Sequence, residues 1–80
     1  MEISYTRIAL EDLQRIPKRF AGQIVTKITR LEKGMHGNIK RLTNFDSDYR
    51  LRSGDYRVLF DIEENSIVVH RILHRRQAYD

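Results

Sequence analysis

The chain contains no cysteine and a single proline among its 80 residues. Without cysteine it has no disulfides and no thiolate ligands for zinc, which is typical of proteins in a reducing compartment. No apolar run approaches the roughly 20 residues that span a bilayer, and the N-terminus MEISYTRIAL lacks the basic start and continuous apolar stretch of an export signal. We therefore expect a protein of the cytoplasm that does not contact a membrane.

Hydrophobic residues make up 40% of the sequence and charged residues 32%, with a formal net charge of +4. A chain of this length buries only about 60% of its unfolded surface, so we expect a single domain over residues 1–80. A basic surface attracts phosphates over long distances, which favours nucleic acid as a partner. Because so small a core is marginally stable, a bound partner would add to its stability.

The first half of the sequence predicts a strand followed by two helices. Ile3 and Tyr5 alternate with polar residues in EISYT, which indicates a short strand. Apolar residues then recur at an imperfect helical spacing, with Thr6 as the N-cap, until Pro17 ends the helix. Proline is also favourable in a first helical turn, and a second apolar stripe follows it: Phe20, Ile24, Ile28 and Leu31. We expect a helical hairpin that ends in the glycine-containing loop EKGMHGN.

The second half predicts an antiparallel sheet. Three runs of alternating apolar residues are separated by residues 53–55 and 63–66, which have the length and composition of tight hairpin turns. Alternation places Val58, Phe60 and Ile62 on one face and Arg57 on the other, so we expect the helices to cover the first face. The predicted architecture is α+β, with an N-terminal strand, a helical hairpin and then an antiparallel meander.

Arginine dominates the basic residues of this second half, and no lysine follows Arg41. Six arginines lie on or beside the predicted strands: Arg50, Arg52, Arg57, Arg71, Arg75 and Arg76. Guanidinium groups bind phosphate through a planar fork and stack on bases. Strand alternation gives Arg71 the same parity as Ile67, Val69 and Leu73. It also lets three of these arginines converge on one surface. The simpler interpretation is a solvated surface on which each arginine pairs with a turn carboxylate.

Cleavage of RNA without a metal needs a base, an acid, positive charge for the transition state and a group that aligns the nucleotide. Arginine can supply the charge, and tyrosine can supply the alignment. His74 is the preferred base or acid, because the charges of Arg75 and Arg76 favour its neutral form; the alternative is a partly buried histidine at a strand end. We expect His70 to be structural. The sequence has no glycine-rich phosphate loop, HExxH motif or metal-like carboxylate cluster, so we expect no metal and no cofactor.

The segment YRLRSGDYRVLFDIEENSIVVHRILHRRQAY resembles the RelE/ParE superfamily of type II toxin–antitoxin toxins. That superfamily often shows a Y-R-x-R-x-G-x-Y-R-x-x-Y/F stretch, then a strand and a closing H-R-x-x-x-Y, and ALEDLQRIPKRFAGQIVTKITRLEKG is similar to its helical hairpin. The resemblance implies a microbial RNase-like fold and an mRNA interferase that cuts messages in the ribosomal A site. It also implies a cognate antitoxin that wraps and silences the toxin in a hetero-oligomer.

The resemblance assigns roles to individual residues. Arg57 and Arg75 resemble the phosphate-stabilising arginines, and Tyr79 resembles the closing tyrosine that helps to place the substrate. Arg50 and Arg52 occupy the stretch where RelE-type toxins have lysines. Because arginine does not lose a proton at neutral pH, the identity of the base stays open and His74 becomes the stronger candidate. The expected phosphate-binding residues are Arg50, Arg52, Arg71 and Arg76.

Two other functions remain possible on this sequence. The same fold hosts ParE toxins, which inhibit DNA gyrase and are not nucleases, so the fold alone does not decide the target. The arginines, the terminal His-Arg pair and the tyrosine favour RNA cleavage. A non-catalytic RNA-binding module is the third hypothesis, and it predicts salt-sensitive binding without cleavage.

Overall fold

The computed structural model describes residues 1–43 and 47–78. The helical elements of this part are α1 (Arg7–Arg15), α2 (Lys18–Thr29) and a short 3₁₀ helix (Arg30–Lys33). The strands are β1 (Glu2–Tyr5), β2 (Asn38–Arg41), β3 (Tyr49–Ser53), β4 (Tyr56–Glu63) and β5 (Ser66–His74). Within the described ranges these strands form one sheet in the order β1-β5-β4-β3-β2. The pairing of β1 with β5 is parallel and the remaining pairs are antiparallel, which confirms the predicted α+β architecture.

Helix α1 begins and ends where the sequence predicts, whereas α2 ends at Thr29, before the predicted loop, and the 3₁₀ helix carries Leu31 on toward Gly34. The hydroxyl of Thr6 accepts the backbone N–H of Ala9 at 3.1 Å and thereby caps the start of α1. Ile16 then adopts an extended conformation, because the ring of the following Pro17 disfavours helical geometry in the residue before it. The chain turns at these two residues and α2 begins at Lys18. Neither α1 nor α2 is long and apolar enough to cross a bilayer, and the same holds for the 3₁₀ helix.

The core lies between the helices and one face of the sheet. Its fully buried members include Ala9, Ile24, Ile28, Leu31, Leu51, Val58, Phe60, Ile67 and Val69. Ile62 packs against this cluster while remaining partly exposed. The predicted orientation of β4, with Val58 and Phe60 toward the helices, is therefore confirmed.

Strand β2 is not predicted by the sequence pattern: Asn38 falls in the glycine-containing loop EKGMHGN, and residues 39–41 receive no element. The strand pairs with β3 so that Ile39 lies opposite Leu51. Ile39 is the one apolar residue in the strand sequence NIKR, so no alternation is visible there. Gly37 precedes the strand with a φ of 111°, and a Cβ at this position would lie 3.0 Å from Leu51 Cδ1. Glycine therefore permits both the turn and the close approach of β2 to the core.

A β-bulge in β5 changes which side chains share a face. Val69 pairs with Phe60, whereas Arg71 pairs with Leu59, so His70 is an extra residue on this strand. An extra residue shifts the alternation of all that follow it. Val69 is fully buried, but Arg71 is partly exposed. The prediction that Arg71 shares a face with Val69 is therefore wrong.

Helix α1 supplies hydrogen bonds to the edge of β5 beyond the end of β1. Strand β1 pairs with β5 up to Val69. Further along, the hydroxyl of Thr6 donates to the carbonyl oxygen of His70 at 2.9 Å. The backbone N–H of Ile72 donates to Asp12 Oδ2, also at 2.9 Å. Side chains of α1 and of its N-cap residue thus satisfy backbone groups that a neighbouring strand would otherwise pair.

Candidate functional site

Arg50, Arg52 and Arg57 project from the sheet face opposite the helices. Arg52 of β3 lies directly opposite Arg57 of β4, and Arg50 lies opposite Leu59. Directly opposite residues of an antiparallel pair share a face, as do alternate residues of one strand. The three arginines therefore point away from the buried Val58, as the alternation predicts. We call the surface formed by Arg50, Arg52 and Arg57 the arginine face.

Strand β2 brings a further cation to this surface. Lys40 lies opposite Arg50 in the β2–β3 register and is exposed. Sequence reasoning missed Lys40 because it assigned no strand to residues 39–41. The lysine extends the positive surface across the edge of the sheet.

Two members of the arginine face are buried. Arg57 is 2% exposed, and its Nη1 donates to the carbonyl oxygens of Gly54 at 2.8 Å and Tyr56 at 3.1 Å. Arg50 is 8% exposed, and its Nη1 lies 3.4 Å from the side-chain oxygen of Asn38. A guanidinium keeps its charge when buried, and screening by solvent is weaker there. These contacts hold positive charge in fixed positions, whereas Arg52 is exposed.

His74 lies on the other side of the sheet. It pairs with Tyr56, next to the pair formed by Arg57 and Leu73, so His74 and Arg57 project to opposite faces. The rings of His74 and Tyr56 have centroids 5.5 Å apart and are inclined at 81°. The Nδ1 atom of His74 accepts the backbone N–H of Arg76 at 3.3 Å. The structure therefore separates His74 from Arg57, and a catalytic role for His74 stays a prediction that this geometry does not favour.

Aromatic rings line an open cleft on the same side as His74. The cleft has a volume of about 330 Å³ and lies between α2 and the β3–β4 turn. Phe20, Tyr56 and His74 contribute its rings, and Asp55 is among its polar residues. Aromatic side chains exposed in this way can stack on single-stranded nucleobases.

Arg75 joins the end of β5 to the β3–β4 turn. Its backbone N–H donates to the carbonyl oxygen of Asp55 at 2.6 Å, and its Nε lies 3.6 Å from Asp55 Oδ1. The same turn carries Gly54, which accepts a hydrogen bond from Arg57. Arg57 and Arg75 thus contact neighbouring residues of one turn, although Arg75 already has a carboxylate partner. Arg76 is exposed, and Tyr79 lies outside the described residues, so the roles assigned to both stay predictions.

Arg71 is held by α1. Its Nε and Nη2 donate to the two carboxylate oxygens of Asp12 at 2.9 and 3.2 Å. These hydrogen bonds raise the pKa of Arg71 above its usual value, with a smaller contribution from the charge of Asp12. Its position therefore fits the simpler interpretation, an ion pair within the fold, better than the expected phosphate binding.

A cluster of titratable residues lies near the β4–β5 turn. His70 Nε2 lies 3.0 Å from Asp61 Oδ2, and Asp61 Oδ1 accepts the backbone N–H of Asp48 at 2.6 Å. Glu63 completes the group, because the ligand atoms of Asp61, Glu63 and His70 all lie within 4.8 Å of one another. We call these three residues the β4–β5 cluster. Sequence reasoning expected no such cluster, because nothing in the sequence marks the bulge that brings His70 beside Asp61.

Known proteins share both this fold and this sequence pattern. The family model described as the ParE toxin of the type II toxin–antitoxin system, parDE, matches residues 3–79. The α+β fold, with two helices on a mostly antiparallel sheet, is similar to the folds of solved RelE-like toxins. The chain belongs to the ParE toxin family of type II toxin–antitoxin systems, within the RelE/ParE superfamily.

The similarity to known relatives covers nearly the whole chain. Toxin RelE3 of Methanocaldococcus jannaschii is 26% identical over an alignment of 85 residues. The alignment covers 100% of this chain and 97% of that protein. The toxin–antitoxin complex RelBE2 from Mycobacterium tuberculosis contains a similar chain with a TM-score of 0.79 and 26% identity, covering 92% of this chain and 90% of that one. The RelB–RelE antitoxin–toxin complex from Methanococcus jannaschii gives a TM-score of 0.76 at 22% identity, covering 90% and 89%. The resemblance predicted from the motifs is confirmed.

Proposed function

We propose that this toxin is a ribosome-dependent endoribonuclease that cleaves mRNA and thereby inhibits translation. The observation that carries the proposal is the arginine face, where Arg52 lies directly opposite Arg57 and Arg50 is one position further along the same face. A fixed array of guanidinium groups matches a chain of phosphates. The similarity over the whole chain to a protein named Toxin RelE3 supports a toxin of the RelE type.

The cleavage follows from RNA chemistry. The 2′-hydroxyl gives its proton to solvent, and the 2′-oxygen attacks the adjacent phosphorus. The bond from phosphorus to the 5′-oxygen breaks and the 5′-oxygen takes a proton from water, which leaves a 2′,3′-cyclic phosphate and a free 5′-hydroxyl. Negative charge increases on the phosphoryl oxygens in the transition state, and pre-positioned cations stabilise it. We assign this role to Arg57 and Arg75, and the binding of flanking phosphates to Arg50, Arg52 and Arg76. Tyr79 is the residue that we expect to align the nucleotide.

Charge stabilisation is the main contribution that we assign to the protein. His74, the preferred proton carrier, projects to the face opposite Arg57. A proton relay from His74 to a phosphate bound at Arg57 would have to pass around the edge of the sheet. Electrostatic stabilisation is commonly the largest single contribution to enzymatic rate, so arginines can supply much of the acceleration without such a relay.

A cognate antitoxin is the proposed protein partner, in a toxin–antitoxin hetero-oligomer. The two solved structures described above are complexes of a toxin with its antitoxin. Ile8 and Leu10 lie on either side of the buried Ala9 in α1, and their exposed apolar side chains are candidate contacts for such a partner. Because the proposed target is a translating ribosome, the site of action would be the cytoplasm.

Mapping of transcript ends in cells tests the nuclease function. The chain is expressed briefly from a tightly controlled promoter, and the 5′ ends of cellular mRNA are sequenced. We expect new ends inside translated reading frames, and their loss when translation initiation is blocked. Growth arrest with intact messages would refute the proposal.

Inhibition of DNA gyrase in the ParE manner is the second candidate. The match to the ParE toxin family over residues 3–79 favours it, and so does the separation of His74 from Arg57. A supercoiling assay with purified gyrase distinguishes the two functions. The gyrase hypothesis predicts loss of supercoiling at near-stoichiometric amounts of toxin, whereas the nuclease hypothesis predicts unchanged supercoiling.

A further inference from the structure

We propose that Asp61, Glu63 and His70 form a binding site for a divalent transition metal, with Zn²⁺ as the cation that fits best. The ligand atoms of this β4–β5 cluster lie within 4.8 Å of one another. The set comprises one imidazole and two carboxylates, which is a common combination for Zn²⁺. The imidazole disfavours Mg²⁺, which prefers oxygen ligands. The proposal does not depend on the target of the toxin.

Two of the ligands already have the spacing that coordination requires. His70 Nε2 lies 3.0 Å from Asp61 Oδ2. Ligands that bind one zinc ion at about 2.0–2.2 Å are separated from each other by roughly 3.0–3.5 Å. A cation can therefore take the place of the hydrogen between these atoms, and the imidazole then carries its proton on Nδ1. Glu63 is exposed, and rotation of its side chain can bring the third ligand atom closer.

The backbone orients this site before any cation binds. The bulge in β5 places the extra residue His70 beside Asp61 of the neighbouring strand. The second carboxylate oxygen of Asp61 accepts the N–H of Asp48 at 2.6 Å, which fixes the orientation of the carboxylate. Hydrogen bonds of this kind to metal ligands commonly change affinity by about 10- to 100-fold. The Asp48 N–H is therefore a built-in outer contact of the site.

The surroundings of the cluster suit a cation that remains accessible to water. The side chain of His70 is 36% exposed and that of Asp61 is 19% exposed. Partial burial limits competition from bulk water but leaves room for water in the open coordination positions. The two carboxylates also supply negative charge in a protein whose net charge is +4. The member of the arginine face that lies nearest in the strand register is Arg50. It pairs with Leu59, which precedes Asp61 by two residues on β4.

A bound cation would connect β4 to β5 next to their turn. Ligands that bind the folded state and not the unfolded state raise the melting temperature. At a Zn²⁺ concentration about 100 times Kd, we expect the Tm of a chain of this size to rise by roughly 10 °C or more. Alternation along β4 places Asp61 on the same face as Arg57 but four residues away, so the site is separate from the proposed cleavage site.

Calorimetry and thermal unfolding of the tag-free, EDTA-treated full chain test the proposal. We expect Zn²⁺ to bind with a stoichiometry of about one ion per chain, to raise Tm and to shift the ring resonances of His70. Mg²⁺ at the same concentration should have none of these three effects. His70→Asn retains a donor for Asp61 and should weaken Zn²⁺ binding by at least about tenfold. Glu63→Gln should also weaken it. The matched controls Glu64→Gln and His36→Asn should bind Zn²⁺ as the wild type does.

Several outcomes would refute the proposed metal site. The absence of Zn²⁺ binding at about 1 mM would do so, as would equal shifts with Mg²⁺, which would indicate general attraction to acidic residues. Unchanged Zn²⁺ affinity in both His70→Asn and Glu63→Gln would also refute the assignment. If His70→Asn does not fold, Glu63→Gln still decides the question, because Glu63 lies at the exposed end of β4.

Discussion

Arg57 combines almost complete burial with a charge that it cannot lose. Its guanidinium contacts the carbonyl oxygens of Gly54 and Tyr56 in and beside the β3–β4 turn. A lysine would keep the positive charge but would present a single ammonium group in place of the planar fork. The position therefore distinguishes a requirement for charge from a requirement for guanidinium geometry.

Replacement of Arg57 should reduce mRNA cleavage without unfolding the protein. We expect Arg57→Lys to slow single-turnover cleavage on ribosomes by about 100-fold, because contacts to developing charge contribute this much in other enzymes. Arg30→Lys, at an exposed position of the 3₁₀ helix, is the matched control and should cleave at the wild-type rate. Circular dichroism monitors folding of both variants. Equal cleavage by Arg57→Lys and wild type would remove Arg57 from the site.

Tyr5 makes the stability of the fold depend on pH in the alkaline range. Burial raises the pKa of Tyr5 above its ordinary value of 10.0, because the charged phenolate is poorly solvated inside the protein. The folded state therefore holds this proton more tightly than the unfolded state does. The contribution to stability is complete below pH 10 and is lost as pH rises toward the pKa of the folded state.

The Tyr5→Phe variant isolates this effect. We expect urea unfolding between about pH 8 and 11 to show a smaller loss of stability in Tyr5→Phe than in the wild type. The two proteins should follow parallel curves at the lower end of that range. Parallel curves at the upper end as well would show that Tyr5 is not the titrating group.

At the scale of elements, Asp12 connects α1 to β5 through three hydrogen bonds. This buried carboxylate accepts two hydrogen bonds from Arg71 and one from the backbone of Ile72. The Arg71 side chain is 43% exposed, so water can solvate it when the partner is removed. The N–H of Ile72 is buried and would lose its hydrogen-bond acceptor.

Removal of the Asp12 carboxylate should therefore destabilise the fold. We expect Asp12→Ala to lower the free energy of unfolding by about 2–3 kcal/mol, mainly through the unsatisfied buried donor. Glu11→Ala, at the exposed neighbouring position of α1, should change it by less than about 0.5 kcal/mol. Chemical denaturation measures both values. A similar small effect for both variants would mean that packing, and not Asp12, holds α1 against β5.

Local signals in the sequence predict most of these elements. Thr6 and Pro17 mark helix boundaries through capping and proline geometry, and the alternation of β4 predicts which face carries Arg57. The sequence contains no comparable signal for strand β2 or for the bulge at His70, because both depend on pairing with distant residues. For this reason the cation Lys40 and the β4–β5 cluster were missed. The same lack of tertiary information led sequence reasoning to group His74 with the arginines.

At the scale of the whole molecule, the distribution of charge predicts how binding responds to salt. The net charge is +4, and the arginine face concentrates positive charge on one surface. Each cation that neutralises a phosphate displaces bound counterions, so affinity falls as salt rises. Helical cations such as Arg7 lie in a different part of the fold.

The exposed Arg52 allows a direct test of this distribution. We expect Arg52→Ala to weaken binding of single-stranded RNA and to reduce the slope of log K against log salt by roughly 0.7. Arg7→Ala, exposed on α1, should leave the slope unchanged. Fluorescence anisotropy over a range of KCl concentrations measures both slopes. An equal change in both variants would indicate diffuse attraction and not a defined RNA surface.

The most direct test of the account uses purified ribosomes that are programmed with a defined mRNA. The wild-type chain is added with and without ribosomes, and primer extension locates any cut. We predict cleavage at the A-site codon in the presence of ribosomes and an intact message in their absence. An intact message in both reactions, together with inhibition of gyrase by the same protein preparation, would contradict the account.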